Sequence, residues 1–147
     1  MRPWFLSVVW MVACGGGAAA PDAGASAAKE GGAAAAAPAG KREEVDIAGF
    51  ATAHAQGVQV VDVRTDEEWA EGHVPGAVHV PIDELKPGHP GLKGIDTTKP
   101  VYFVCAVGGR SSKATDRMAA AGWHAVNVAG GTKGWVAAGH PLAKETP

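Results

Sequence analysis

Large apolar residues fall into short runs closed by glycine or proline from about residue 41 onward, whereas residues 14–40 contain none. Residues 58–63 (Val-Gln-Val-Val-Asp-Val) and 101–104 (Val-Tyr-Phe-Val) are short, rich in β-branched and aromatic side chains, and bounded by turn residues. Such runs read as strands buried on both faces. Residues 77–80 and 125–128 predict two shorter strands. Between them the spacing predicts helices over 47–56 with Asp46 as N-cap and 66–71 with Thr65 as N-cap. Two more are expected over 111–121, stopped by Gly122, and 131–138, stopped by Gly139. Strands alternating with helices imply an α/β fold over residues 41–147: a central, mostly parallel sheet with helices on both faces.

The N-terminal region has a different pattern. Arg2 precedes an apolar stretch from Trp4 to Ala13 broken only by Ser7. About ten apolar residues in a helix reach roughly 15 Å, half the hydrocarbon thickness of a bilayer, so residues 1–13 read as a signal peptide rather than a membrane span. Met11-Val12-Ala13-Cys14 resembles the lipobox of bacterial lipoproteins. That resemblance implies lipidation of Cys14 and an exported, membrane-anchored protein on the periplasmic side. Cleavage near Ala18-Ala19-Ala20 would instead release a soluble secreted form. Residues 14–40, mostly Gly, Ala, Pro and Ser, read as a flexible tether with a reach of roughly 25–30 Å.

Charge and composition narrow the function. A net charge of −2, with no basic run longer than Lys41-Arg42, gives no nucleic-acid footprint. Two cysteines exclude a disulfide framework and a Cys-rich zinc site, and the six histidines lack metal-ligand spacing, so neither metal nor cofactor is expected. Acylation of Cys14 would leave Cys105 as the sole free thiol. An unpaired cysteine in an exported protein calls for a functional explanation.

Cys105 directly follows the strand over 101–104, and the carboxyl ends of strands are where open parallel sheets place their functional crevice. The loop Cys105-Ala106-Val107-Gly108-Gly109-Arg110-Ser111 then leads into a helix. Its two glycines let the backbone curl so that several N–H groups point at one centre, forming an anion-binding nest. A free thiol with a pKa of about 8.5 is only slightly ionised at neutral pH. Converging N–H groups, the helix start at Ser111 and the charge of Arg110 all favour the thiolate. A buried structural cysteine is the plain alternative; a Gly-rich loop beside an arginine is a poor core position, so an exposed, reactive thiol is expected.

Cys105-x-x-Gly108-x-Arg110-Ser111 resembles the active-site loop of rhodanese-domain sulfurtransferases. Val60-Val61-Asp62-Val63-Arg64, followed by Glu68-Trp69-x-x-Gly72-His73-Val74-Pro75-Gly76-Ala77, resembles a first signature of that family. Gly130-Gly131-x-x-Gly134-Trp135 resembles its C-terminal one. The resemblance implies that Cys105 accepts a sulfane sulfur as a persulfide and passes it to cyanide or a thiol, with residues 106–111 binding substrate. It also makes Asp62 and Arg64 structural ionic links near the site, with ordinary surface charges as the alternative. His73, Pro75 and Gly76 are expected to shape a turn, and Trp135 to pack in the core. Efficient users of thiosulfate in the family carry basic residues just after the cysteine. Ala106 and Val107 stand there in this chain, which points to a less anionic donor or to a protein partner that delivers sulfur. A monomer is expected.

Two other functions fit a cysteine in an anion nest. Related phosphatases and arsenate reductases have five residues between cysteine and arginine; here four separate Cys105 from Arg110, a smaller cradle suited to sulfur. A non-catalytic module that binds a partner, or senses oxidants through Cys105, would keep the same residues without turnover.

Overall fold

A computed structural model describes residues 40–144. The signal peptide, Cys14 and nearly all of the tether lie outside the described residues. The element order is β1 (Arg42–Val45), α1 (Ile47–Ala55), β2 (Gln59–Asp62), α2 (Asp66–Glu71), β3 (Val78–His79), β4 (Val101–Val104), α3 (Gly109–Ala120), β5 (Ala125–Val128) and α4 (Gly131–Ala137). A single 3-10 turn, Pro90–Leu92, lies between β3 and β4. The five strands form one sheet in the order β1-β5-β4-β2-β3, and every ladder in it is parallel.

The elements begin and end for local reasons visible in the side chains. Asp46 accepts the Gly49 N–H at 2.8 Å and starts α1. Thr65 and Glu68 form a reciprocal capping box that starts α2. The third helix starts two residues earlier than the predicted 111, because Gly108, at φ +106°, turns the chain into the helix directly after the loop.

The first strand was not expected from sequence. Arg42-Glu43-Glu44-Val45 carries one apolar residue and pairs only with β5, in the register Glu44 to Asn127. Its ladder therefore comes from backbone pairing at a sheet edge, where charged side chains stay in water and no hydrophobic signature is needed.

Alternation along the central strand sends its side chains to two cores. Val101, Phe103 and Cys105 pack on the α3 side with Val61, Val63, Ala114 and Met118. Val104 packs on the other side with Phe50, Val60, Val128 and Trp135, which belong to α1, β2, β5 and α4. Both layers are closed by fully buried aromatic rings, Phe103 on one side and Phe50 on the other. The sheet is thereby rigid at the point where β4 ends and the loop bearing Cys105 begins.

Candidate active site

Cys105 follows the last residue of β4 and continues its alternation, so its side chain points under α3. It is only 1% exposed, which corrects the expectation of an exposed thiol. The pleat of β4 gives the physical reason: two residues beyond Phe103, the side chain falls on the same buried face.

The loop after it is a cradle for the sulfur. The Gly108 N–H reaches Cys105 Sγ at 3.1 Å, and the Ser111 Oγ lies 3.5 Å from it. Gly108 needs the left-handed conformation, and a side chain there would also press against Val128 O and Ala129 at 3.4 Å. From behind, the start of α4 grips the loop carbonyls. Thr132 N donates to Cys105 O at 2.7 Å and Lys133 N to Ala106 O at 3.0 Å. These two bonds hold the first peptide carbonyls of the loop away from the sulfur, leaving N–H groups to turn inward. The approach is so close that a Cβ on Gly131 would sit 2.1 Å from Cys105 O. That contact explains Gly131, whose purpose cannot be read from spacing, while Gly130 is called for by its own φ of +89° at the start of α4.

Burial pushes the Cys105 thiol up. Hydrogen bonds from the Ser111 hydroxyl and from the backbone N–H groups of Ser111, Val107 and Gly108 outweigh it, and the net direction is below the ordinary thiol value. Arg110 takes a different place from the one expected. Its guanidinium turns to Glu68, with Nη1 donating to Oε2 at 2.6 Å and Nη2 to Oε1 at 2.7 Å. The same bonds hold the Glu68 carboxyl down to about 2. The charge that sequence assigned to the thiolate is therefore largely answered by a carboxylate, and the cradle works through dipoles.

Asp62 and Arg64 are both buried, at 0% and 5% exposure, so the surface-charge alternative does not hold. Arg64 Nε donates to Asp62 Oδ1 and Oδ2 at 3.0 and 2.9 Å, and Nη2 donates to Oδ2 at 2.7 Å. Arg64 Nη2 also caps Gly72 O at 2.8 Å, tying β2 to the end of α2. His73 stacks on Trp69 with ring centroids 3.5 Å apart, and its backbone pairs with Ala143, so it fastens the C-terminal segment. Gly76 takes φ +75° in the turn before β3. Trp135 is buried and donates its indole N–H to Pro141 O at 2.9 Å. Among the predicted loop residues, Ala106 and Arg110 are half-buried, Gly108 and Ser111 buried, and Val107 and Gly109 exposed. Lys113, also on α3, is exposed.

A cleft of about 460 Å³ opens beside the loop, lined by Arg64, Glu68, Ala106, Lys133, Val136 and Leu142 among others. Val136, one of its lining residues, is 50% exposed, and Val107 on the cysteine loop is 61% exposed. Sequence reasoning missed Glu68 as a partner of Arg110, since 42 residues separate them. It also missed Asn127 and Thr132, which no motif spacing marks. Among the described residues, no three His, Cys, Asp or Glu side chains converge as a metal site would require.

Comparison with known proteins agrees with this architecture. The family model described as Rhodanese-like domain matches residues 51–138. YtwF of Bacillus subtilis is 36% identical over 76 residues, covering 52% of this chain and 71% of that protein. Thiosulfate sulfurtransferase 18 of Arabidopsis thaliana is 31% identical over 121 residues, covering 71% of this chain and 88% of the relative. The crystal structure of a rhodanese-like domain protein from Staphylococcus aureus superposes with a TM-score of 0.60 at 34% identity, over 71% of this chain and 99% of that one. The parallel sheet, the cysteine loop and these matches agree, and the chain belongs to the rhodanese-like domain family.

Proposed function

We propose that this protein is a sulfurtransferase that carries sulfane sulfur on Cys105. The observation that carries the reading is the sulfur cradle, in which Gly108 N–H and Ser111 Oγ both address Cys105 Sγ. The thiolate attacks the outer sulfur of a donor; an S–S bond forms on Cys105, and the donor's bond to that sulfur breaks with its electron pair. An acceptor thiolate or cyanide then attacks the terminal sulfur, and the electron pair of the S–S bond returns to Cys105. Inward N–H groups stabilise whichever sulfur bears the charge at each step.

The donor we favour is weakly charged, such as a small organic persulfide or one presented by a protein partner. Arg110 is neutralised by Glu68, Arg64 by Asp62, and the two residues after the cysteine are apolar. Lys133 is the cation lining the cleft that has no carboxylate partner among the described residues. A site with so little net positive field has little means to concentrate a dianion such as thiosulfate.

Intact-mass analysis of the full chain after exposure to an organic persulfide or thiosulfate tests this, with Cys105→Ser as control. One added sulfur on the wild type alone, removed by cyanide or a thiol, is expected. Absence of an adduct with every donor would sink the proposal in favour of a module that binds a partner or senses oxidants. We infer further, from the Met11-to-Cys14 pattern alone, that the protein is exported and anchored by lipid on Cys14. Cys14→Ser should then move it from the membrane fraction to the soluble fraction; an unchanged distribution would refute the anchor.

A further inference from the structure

Ser111 has one hydroxyl proton and three acceptors around it. Its Oγ lies 2.7 Å from Asn127 Oδ1, 3.1 Å from Gly108 O and 3.5 Å from Cys105 Sγ. Only one can take the proton at a time, and the shortest contact is to Asn127. The orientation of the Asn127 amide follows from its other side, where Nδ2 donates to Glu44 Oε2 at 2.8 Å. An ionised carboxylate accepts only, so it requires the NH₂ of Asn127 and leaves the amide oxygen facing Ser111. Asn127 is 2% exposed on β5, and Glu44 lies beside it on the edge strand β1, exposed to water. A chain of hydrogen bonds thus runs from the protein surface at Glu44, across the sheet edge, to the hydroxyl beside the sulfur.

We propose that Asn127, oriented by Glu44, is a positioning residue that competes with Cys105 for the single Ser111 proton and so sets how strongly that hydroxyl supports the thiolate. While the proton points to Asn127, the lone pairs of Ser111 face the sulfur and favour the protonated thiol. When the proton turns to the sulfur, Asn127 Oδ1 loses its donor. The balance between these two states governs the fraction of reactive thiolate. The inference bears on catalysis through the proposed role of Cys105, but its test does not depend on sulfur transfer.

The test is a pH titration of the full chain by the ultraviolet absorbance of the thiolate, referenced to Cys105→Ser, which removes this thiol. Asn127→Leu keeps a similar volume and removes the competing acceptor. Its Cys105 midpoint is expected to fall, by on the order of one pH unit, the size of one hydrogen bond to a charged group. Glu44→Gln frees the Asn127 amide to turn its NH₂ toward Ser111, and should shift the midpoint the same way by less. Adding Ser111→Ala to either variant should abolish the shift. The neighbouring charges, Arg110 with Glu68 and Asp62 with Arg64, are untouched in every variant. A midpoint that stays or rises in Asn127→Leu, or that falls equally in the Ser111→Ala background, would overturn the proposal. Should Asn127→Leu fail to fold, the exposed Glu44→Gln decides by the same criteria. Persulfide loading followed by intact mass separates the two ideas: a shifted midpoint without any adduct leaves this relay standing and removes the sulfurtransferase reading.

Discussion

Two arginine–carboxylate pairs flank the cysteine loop, and they differ in burial and origin. Asp62 and Arg64 are two residues apart at the end of β2, with side chains 0% and 6% exposed. Glu68 and Arg110 come from α2 and the start of α3, with side chains 31% and 34% exposed. The first pair has lost nearly all its water and is held by several hydrogen bonds, so its integrity is a condition of folding. The second is screened by solvent and contributes little to stability, but it stands at the cleft, where it cancels a cation that would draw anions. The same chemical pair is therefore a structural tie in one place and a control of charge in the other.

The largest effect is expected from breaking the buried pair. Asp62→Ala leaves Arg64 charged and nearly without water, and should cost about 3–5 kcal/mol in chemical denaturation. A loss below about 1 kcal/mol would mean that water reaches Arg64 and that the contrast in burial is unreal.

A second variant asks whether either arginine, rather than the backbone, holds the anion. Gly131→Ala leaves both pairs intact but forces a Cβ against Cys105 O, displacing the loop and its N–H groups. Sulfur loading of Cys105 should fall roughly 100-fold, the scale of losing a fixed oxyanion donor. Ser111→Ala removes one donor from the cradle and should raise the thiol midpoint, reducing loading at neutral pH by several-fold, about tenfold at most. Rates that survive both changes would return the role to Arg110.

The exposed pair should yield the smallest effects. Glu68→Gln frees Arg110 and is expected to raise kcat/KM for thiosulfate by a few-fold while leaving an uncharged persulfide donor unaffected, with the gain fading as salt is added. Its contribution to stability, no more than about 1 kcal/mol at this exposure, follows the sign of a depressed carboxyl. The wild type binds fewer protons folded than unfolded between the ordinary value of 4.5 and about 2. Its advantage over Glu68→Gln is therefore complete above pH 4.5 and disappears as the pH falls through about 2. Urea midpoints across that range measure it; a constant difference at all pH values would contradict the assignment.

The legible parts of this chain are those where physics acts locally. Val101-Tyr-Phe-Val104 must be a buried strand whichever partners it finds, Asp46 and Thr65 cap because a side-chain oxygen meets an N–H three residues on, and Gly108 marks a turn. The position of Cys105 at a strand end was visible for the same reason, whereas the link between Asp62 and Arg64 was expected only through the family resemblance. The first strand was not visible, because an edge strand of charged residues forms through pairing with β5 and carries no pattern of its own.

What the sequence by itself determined was the alternation of helices and strands after β1, the cysteine loop and the kinship with the rhodanese-like family. Tertiary structure alone decided the state of the site's charges and protons. It buried Cys105 under α3, turned Arg110 to a carboxylate 42 residues away, and brought Glu44 and Asn127 to a serine hydroxyl near the sulfur. Local propensities act over a few residues and can be read along the chain, whereas electrostatic partners depend on distances across the fold, which exist only once the sheet has assembled its strands.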